Sequence, residues 1–268
     1  MNYKIALLSA FIGSPGKNEL KITERCRQRL NDYGVDVYLF NNTNVGLLEP
    51  FVVPNTIPVE APIHNKRNHS WLQEKVDDVR FRQYKYPSPE DNRNRLVAKL
   101  PKMQFYKLLD KEYDYYIWMD SKFTLLDDWL DNLLELIKNY GHHELVVCSH
   151  SERNCLKSEY EYMRYYIRRK SDNLCSKYVL KDLYYQVSHY LSDPSFVDDA
   201  LYECGFLLFS SKIMMHKDFL NAWYAHNYYY TIQDQLSFPY LLKKFGIDVH
   251  PLNKKVYKLE GTSYGYSS

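Results

Sequence analysis

The chain has 268 residues, 45% of them hydrophobic and 25% charged, with a formal net charge of +2. That is ordinary globular usage with enough chain to bury a core as one domain spanning 1–268, and it excludes a disordered tail, a collagen or a disulfide mini-scaffold. The sequence pI of about 8.1 lies below the ~9 expected of a nucleic-acid-binding domain, so no nucleic-acid partner is expected and any basic site must be local. Tyrosine is over-used, with 27 residues against 12 Phe and 4 Trp. Such rings either line a polar, stacking-capable groove or pack as amphipathic filler at the surface.

Five cysteines with no Cys-x-x-Cys pair suggest neither a zinc knuckle nor a disulfide framework, and they fit a reducing, cytoplasmic setting. The apolar run Ile5 to Phe11 is short, lacks a cleavage site and reads as a buried strand. No apolar run approaches the ~18 residues of a membrane span, so any membrane contact is expected to be peripheral.

In chain order, Lys4 to Phe11 is a strand ending in a Gly/Pro/Ser turn. Glu19 to Tyr33 carries Ile22, Cys26 and Leu30 at helical spacing before Gly34 stops it, and Val35 to Phe40 is a second strand. A βαβ unit of this kind predicts neighbouring parallel strands and an α/β fold. Residues 41–66 hold four prolines and read as an extended connection, Trp71 to Tyr84 as a helix, and Pro87 and Pro89 as its break. Arg93, Arg95, Lys99 and Lys102 then bring four positive charges into ten residues. They are either a solvated helix face or, because Pro101 and a buried run follow, cations at the start of a buried helix that favours anions.

Tyr113 to Met119 alternates as a strand, with Tyr115, Ile117 and Met119 on one face and Tyr116, Trp118 and Asp120 on the other. Asp127 and Asp128 open a helix closed by Gly141, Leu145 to Ser149 is another buried strand, and residues 152–191 are a Tyr-rich helical insertion. The strand from Gly205 to Phe209 follows, with helices at Asp218 to Tyr229 and Asp234 to Phe245. The second of these has Thr231 as a candidate cap and Gly246 as its stop.

Ligands of open α/β sheets bind beyond the carboxyl ends of the strands. Three features fall there: Ser9 to Gly16, Asp120-Ser121-Lys122, and Glu203-Cys204-Gly205. A carboxylate at a buried strand end, such as Asp120, must be solvated, paired or bound to a cation; it caps the next helix, pairs with Lys122, or serves a ligand. A nucleotide-sugar site would use these residue types, because a diphosphate leaving group gains negative charge as the glycosidic bond breaks. Asp120 would hold a cation, and Lys122 with Arg95, Lys99 and Lys102 would supply fixed positive charge. Attack by an acceptor hydroxyl needs a carboxylate base or a carboxylate that steadies an oxocarbenium-like centre, for which Asp234 and Glu203 are the candidates. As a plain helix-terminal acid, Asp234 would contribute only ~0.3–1 kcal/mol.

The runs Arg95 to Lys102, Tyr113 to Lys122 and Asp234-Gln235-Leu236-Ser237-Phe238, in that order over residues 90–240, resemble the glycosyltransferase-like family of plant mucilage-related and bacterial polysaccharide-cluster proteins. The resemblance implies a GT-A-like α/β domain with a mostly parallel central sheet and helices on both faces. It also places Asp120 at a donor motif of Asp-x-Asp type and Asp234-Gln235 at a helix start facing the reaction centre. Two departures stand out: Gln233 replaces the arginine usual before Asp234, and Lys122 occupies the place of the second donor-motif acid. Either a manganese or magnesium ion is held by Asp120 with His250 as second ligand, or a lysine does the cation's work. For a lone histidine after a strand, packing is the competing role.

The reading is a nucleotide-sugar-dependent glycosyltransferase acting on a glycan or lipid-linked acceptor in surface polysaccharide or capsule synthesis. Ala10, Phe11 and Gly13 would hold the nucleoside, and Arg95, Lys99, Lys102, Ser121, Lys122 and Gln235 the rest of the donor. The alternative is a non-catalytic glycan-binding module on the same fold. A phosphotransferase is disfavoured by the absence of a Gly-x-x-x-x-Gly-Lys loop from the sequence.

Overall fold

Strand alternation builds the core. On β1 (Ile5–Ala10), Ile5 and Leu7 face one side while Ala6, Leu8 and Ala10 face the other. On β4 (Tyr115–Met119), Ile117 and Met119 oppose Tyr116 and Trp118 in the same way. The computed structural model describes residues 2–12, 20–41, 87, 89–254 and 259–264. The prolines of residues 41–66 beyond Asn41, the helix expected over Trp71 to Tyr84, and Gly13 lie outside the described residues.

Six strands form the main sheet in the order β3-β1-β4-β7-β6-β8, with β3 at Asp36–Phe40, β6 at Leu145–Ser149, β7 at Tyr202–Ser210 and β8 at Val249–Leu252. β1 runs parallel to β3 and β4, β6 runs parallel to β8, and β7 alone is reversed between β4 and β6. The expected α/β class with a mostly parallel sheet is therefore met. One face is covered by α1 (Glu24–Tyr33) and α4 (Trp129–Tyr140), through Cys26, Leu30, Leu130, Leu133 and Ile137. The other face is covered by α5 (Leu156–Arg168), α7 (Leu180–Leu191), α8 (Lys217–Tyr229) and α9 (Asp234–Phe245). Each fully buried Leu, Phe or Met in these layers contributes ~1.5–3 kcal/mol.

The local punctuation is legible. Gly34 and Gly246 close α1 and α9 in the left-handed region, at φ 86° and 65°, where an added side chain would be strained. α1 starts at Glu24, later than the expected Glu19, because the Thr23 hydroxyl accepts the Cys26 N–H as an N-cap. Just before it, β2 (Lys21–Ile22) pairs with β5 (Phe123–Leu125), which also pairs with β9 (Thr262–Tyr264) in a small second sheet. The insertion is helical as expected: α5, a short α6 (Asp172–Cys175) and α7. Among the described residues no helix is long and apolar enough to cross a membrane.

The reversed β7 positions the site. Met119 pairs with Phe206 and the Asp120 N–H donates to the Gly205 carbonyl at 2.8 Å, so the start of β7 lies beside the carboxyl end of β4. Glu203-Cys204-Gly205 is thus part of the strand and not a turn before it. The β6–β7 register jumps from Val147 opposite Leu207 to Cys148 opposite Glu203. This bulge directs Glu203 toward β6 and Gly205 toward β4.

Candidate functional site

Six elements converge beyond the carboxyl ends of β1 and β4 on a cleft of about 400 Å³. β1 gives Ala10, the end of β4 gives Trp118, Asp120, Ser121 and Lys122, and α2 (Pro89–Val97) gives Arg95. The short helix α3 (Leu100–Met103) gives Lys102, with Lys99 at its N-cap. The turn after α6 gives Lys177 and Tyr178, and the start of α9 gives Ile232, Gln233 and Asp234. Among the described residues, five cationic side chains against two carboxylates leave the lining with an excess of three positive charges.

Asp120 is held from several sides. The indole N–H of Trp118, two residues earlier on the same strand face, donates to its Oδ1 at 2.8 Å. Lys122 Nζ lies 3.5 Å from Oδ2 and Lys102 Nζ lies 3.9 Å from Oδ1. Gly205 backs the carboxylate closely, since a Cβ there would sit 3.3 Å from Asp120 Oδ2. Asp120 is therefore a cleft-lining carboxylate held by an indole and two ammonium groups, the expected partner Lys122 among them, and among the described residues it makes no contact that caps the next helix.

Asp234 lines the cleft with its side chain largely covered. Its Oδ2 accepts from Lys102 Nζ at 2.6 Å and from Lys99 Nζ at 3.0 Å. Lys102 is 3% exposed and stands over the ring faces of Trp118 and Trp223, 5.5 and 5.7 Å from their centres. Burial by itself would raise the Asp234 carboxyl, but the two ammonium groups hold it well below the ordinary carboxylate range. Burial likewise opposes charge on Lys102, yet Asp234 and Asp120 together overcome it and push its pKa up. Lys99 shares the same carboxylate, but burial and the neighbouring Lys102 outweigh that share and push it down.

The α9 start also differs from expectation. Gln233 is the N-cap position and makes no side-chain cap. Thr231 Oγ1 donates to Gln186 Oε1 at 2.7 Å and accepts the Gln233 N–H at 3.3 Å, so it ties the turn to α7 rather than capping α9. Tyr178 donates to Gln233 Oε1 at 2.6 Å, and Gln233 Nε2 donates to Glu159 Oε1 and Gln235 Oε1 at 3.1 and 2.8 Å. Glu159 is buried and paired with Arg153.

The structure brings together Ala10, Arg95, Lys99, Lys102, Asp120, Ser121, Lys122 and Asp234. Phe11 lines a smaller adjoining pocket of about 90 Å³ that shares Ala10 and Ser121 with the cleft. Ser9 also lines it, and its buried hydroxyl has no hydrogen-bond partner among the described residues. Gln235 touches the network behind the cleft without lining it, and Arg93 points to solvent on α2. Glu203 does not line the cleft; its carboxylate lies on the β6 side, 3.5 Å from Ser151 Oγ.

His250 is not brought to Asp120. It sits on β8, separated from β4 by β7 and β6, three strand spacings of ~4.8 Å. Its ring stacks on Tyr140 with centres 4.0 Å apart and beside His143 at 5.1 Å, facing a separate cavity. The packing role holds, and the pairing with Asp120 on one ion does not. Among the described residues no three His, Cys, Asp or Glu side chains converge as a metal site.

Sequence reasoning missed Lys177 and Tyr178, which arrive from the insertion with no local pattern to mark them. Among the described residues Lys177 has no acidic partner, and burial together with Arg95, Lys122 and Lys99 lowers its pKa. The sequence put Trp118 on the Asp120 face of β4, and the structure adds the indole hydrogen bond between them.

Among solved structures, the chain aligns with mouse xyloside xylosyltransferase 1 in its apo form at TM-score 0.41 and 11% identity, covering 94% of this chain and 85% of that one. It aligns with core-mannan synthase A of Aspergillus fumigatus in its Mn/GDP form at TM-score 0.41 and 12% identity, covering 93% and 72%. No curated protein matches the chain. The model of the TOD1/MUCI70 glycosyltransferase-like domain matches residues 74–260, a span that contains α2, the Asp120 segment, the insertion and the whole of α9. The chain belongs to the TOD1/MUCI70 glycosyltransferase-like family.

Proposed function

We propose that this chain transfers a sugar from a nucleoside diphosphate donor to a glycan or lipid-linked acceptor in surface polysaccharide assembly, on a GT-A-like fold. The observation that carries the reading is the cleft at the ends of β1 and β4, where Arg95, Lys99, Lys102, Lys122 and Lys177 outnumber Asp120 and Asp234. Breaking a glycosyl phosphate bond loads negative charge onto the departing diphosphate, and preplaced cations stabilise that charge more in the transition state than in the bound donor. The small pocket with Ser9, Ala10, Phe11 and Ser121 would take part of the nucleoside.

Asp234 fits one of its two candidate roles better. A carboxyl held well below its ordinary pKa is a weak proton acceptor, so it is poorly matched to general-base catalysis near neutral pH. It fits a fixed negative charge that orients Lys99 and Lys102 and steadies positive charge at the sugar centre. Glu203, on the β6 side, remains the second candidate for the acceptor side.

The test is a thermal-shift screen with nucleoside diphosphates and their sugars, followed by measurement of nucleoside diphosphate release with and without glycan acceptors. A ligand at 100 times its dissociation constant adds ~2.7 kcal/mol. Stabilisation together with donor turnover supports the transferase. Glycan binding with no consumption of any donor would favour a binding module, and no response to any nucleoside diphosphate would sink the proposal.

A further inference from the structure

The divalent ion implied by the family resemblance does not fit the donor set that the described residues give this cleft. Both Asp120 oxygens are engaged, Oδ1 by the Trp118 indole at 2.8 Å and Oδ2 by Lys122 at 3.5 Å. The neighbouring carboxylate, Asp234, is spent on Lys102 and Lys99. The side chain at the place of a second donor-motif acid is Lys122, and His250 is three strands away. Hard divalent cations need several oxygen ligands, at ~2.0–2.6 Å; here ammonium groups occupy the approaches to the oxygens.

The charge pattern that is present asks for an anion. Lys177 lies between Arg95, Lys122 and Lys99, all of the same sign, with no acidic partner among the described residues. Arg95 donates to the Ser176 carbonyl at 2.8 Å, a contact that neutralises nothing. Like charges gathered in a partly desolvated cleft repel one another until a counter-charge enters. A nucleoside diphosphate brings about three negative charges at neutral pH, one on the inner phosphate and close to two on the terminal one. That equals the excess of cations over carboxylates among the described residues of the lining.

We infer that the cleft holds the diphosphate on side-chain cations, with Lys122 and Lys177 standing where a divalent ion would stand, and that Lys177 of the Tyr-rich insertion is a phosphate-binding residue. This deepens the proposed function and rests on it. Lysine suits the role because an ammonium is a compact point charge with three donors that can serve oxygens of two phosphates. The insertion is then part of the donor site and not an appendage: Tyr178, the residue after Lys177, is anchored on Gln233 at the start of α9.

Calorimetric titration of the whole chain with inorganic pyrophosphate and with uridine, guanosine, adenosine and cytidine diphosphates, each in excess EDTA and in manganese, tests this. Pyrophosphate and at least one nucleoside diphosphate are expected to bind in EDTA, with manganese changing the dissociation constant by less than about threefold. Lys177→Ala is expected to weaken pyrophosphate at least tenfold while the free protein melts no lower than the parent, and Lys177→Arg to restore most of the affinity. Lys122→Ala is expected to weaken binding in EDTA without creating a manganese requirement. Binding only in manganese, or parental affinity in Lys177→Ala, overturns the inference and leaves the transferase reading standing. Absence of binding by every probe in both conditions overturns both.

Discussion

Replacing Asp234 by asparagine removes the charge that holds two ammonium groups under the cleft while keeping the side-chain shape. Lys102 is 3% exposed, with Nζ 2.6 Å from Asp234 Oδ2, and its next carboxylate, Asp120, is 3.9 Å away. Lys99, 3.0 Å from the same oxygen, loses its carboxylate partner altogether. Breaking a buried pair by removing one member costs ~3–5 kcal/mol, because the remaining charge is left uncompensated. For a chain of this size that corresponds to a fall in melting temperature on the order of 10 °C. A helix-terminal acid with no other role would cost ~1 kcal/mol or less and shift melting by only a few degrees. Differential scanning calorimetry of Asp234→Asn at pH 7 separates the two, with Lys102→Met/Asp234→Leu as a companion expected to recover most of the loss, since apolar replacement of a buried pair is often neutral. A shift of less than ~3 °C in Asp234→Asn would refute the ion-pair reasoning and return Asp234 to the status of a helix-end acid.

Gly205→Ala places a Cβ 3.3 Å from Asp120 Oδ2 and 3.2 Å from the Phe123 ring, so it is expected to displace the carboxylate and weaken diphosphate binding by roughly tenfold at a stability cost of ~1 kcal/mol; titration beside a urea melt reads both. Gly261→Ala combines φ +77° with a Cβ 2.4 Å from the Trp129 backbone, and it should destabilise by at least ~3 kcal/mol in the same melt while the cleft residues are untouched. Acid should cost stability in two windows. Buried His226, lowered to about 3 by burial and by His189 and Lys244, lets the unfolded chain take up a proton first as pH falls below ~6.5, so up to roughly 4 kcal/mol is lost on the way to pH 3. The depressed Asp234 contributes stability that is whole above the ordinary carboxylate range and is lost below it. Urea melts from pH 7 to 2 should show the first window in full and the onset of the second, with only the lower one missing in Asp234→Asn. At the alkaline end, Lys99 and Lys177 are lowered, so diphosphate affinity should fall before the ordinary lysine range and binding should take up protons, measured as a buffer-dependent enthalpy.

Wherever burial imposes a period, the sequence announced it. The strands β1, β3, β4 and β6 could be read because each alternates or runs apolar between turn residues, and the two faces of β4 were assigned correctly from Tyr115 to Asp120. The helix α9 before Gly246 was placed to the residue, while α1 before Gly34 was right at its end and five residues early at its start. The small sheet was not legible, because strands of two or three residues such as Lys21–Ile22 and Phe123–Leu125 have no period to show. Thr231 looked like a cap because a hydroxyl near a helix start usually is one; tertiary contact with Gln186, 45 residues away, took the hydroxyl instead. The site divides in the same way. Asp120 and the Arg95 to Lys102 cluster stand out in sequence because a charge next to an apolar run needs a reason. The Lys102–Asp234 pair spans 132 residues, and no local pattern could join its members.

The departure at Gln233 acquires a physical reason from the same long-range contacts. An arginine there would bring its charge from α9 itself. In this chain the position is neutral and accepts from Tyr178 at 2.6 Å while donating to Glu159 at 3.1 Å, so it ties α9 to two parts of the insertion. The segment it secures carries Lys177, whose charge enters the cleft beside Arg95, Lys99 and Lys122. The cost of ordering a long lysine side chain there is reduced because its neighbour Tyr178 is already fixed by a part-buried hydrogen bond. The buried pair of Glu159 with Arg153 keeps that anchor compensated, since a lone buried carboxylate behind Gln233 would draw on the cations that line the cleft.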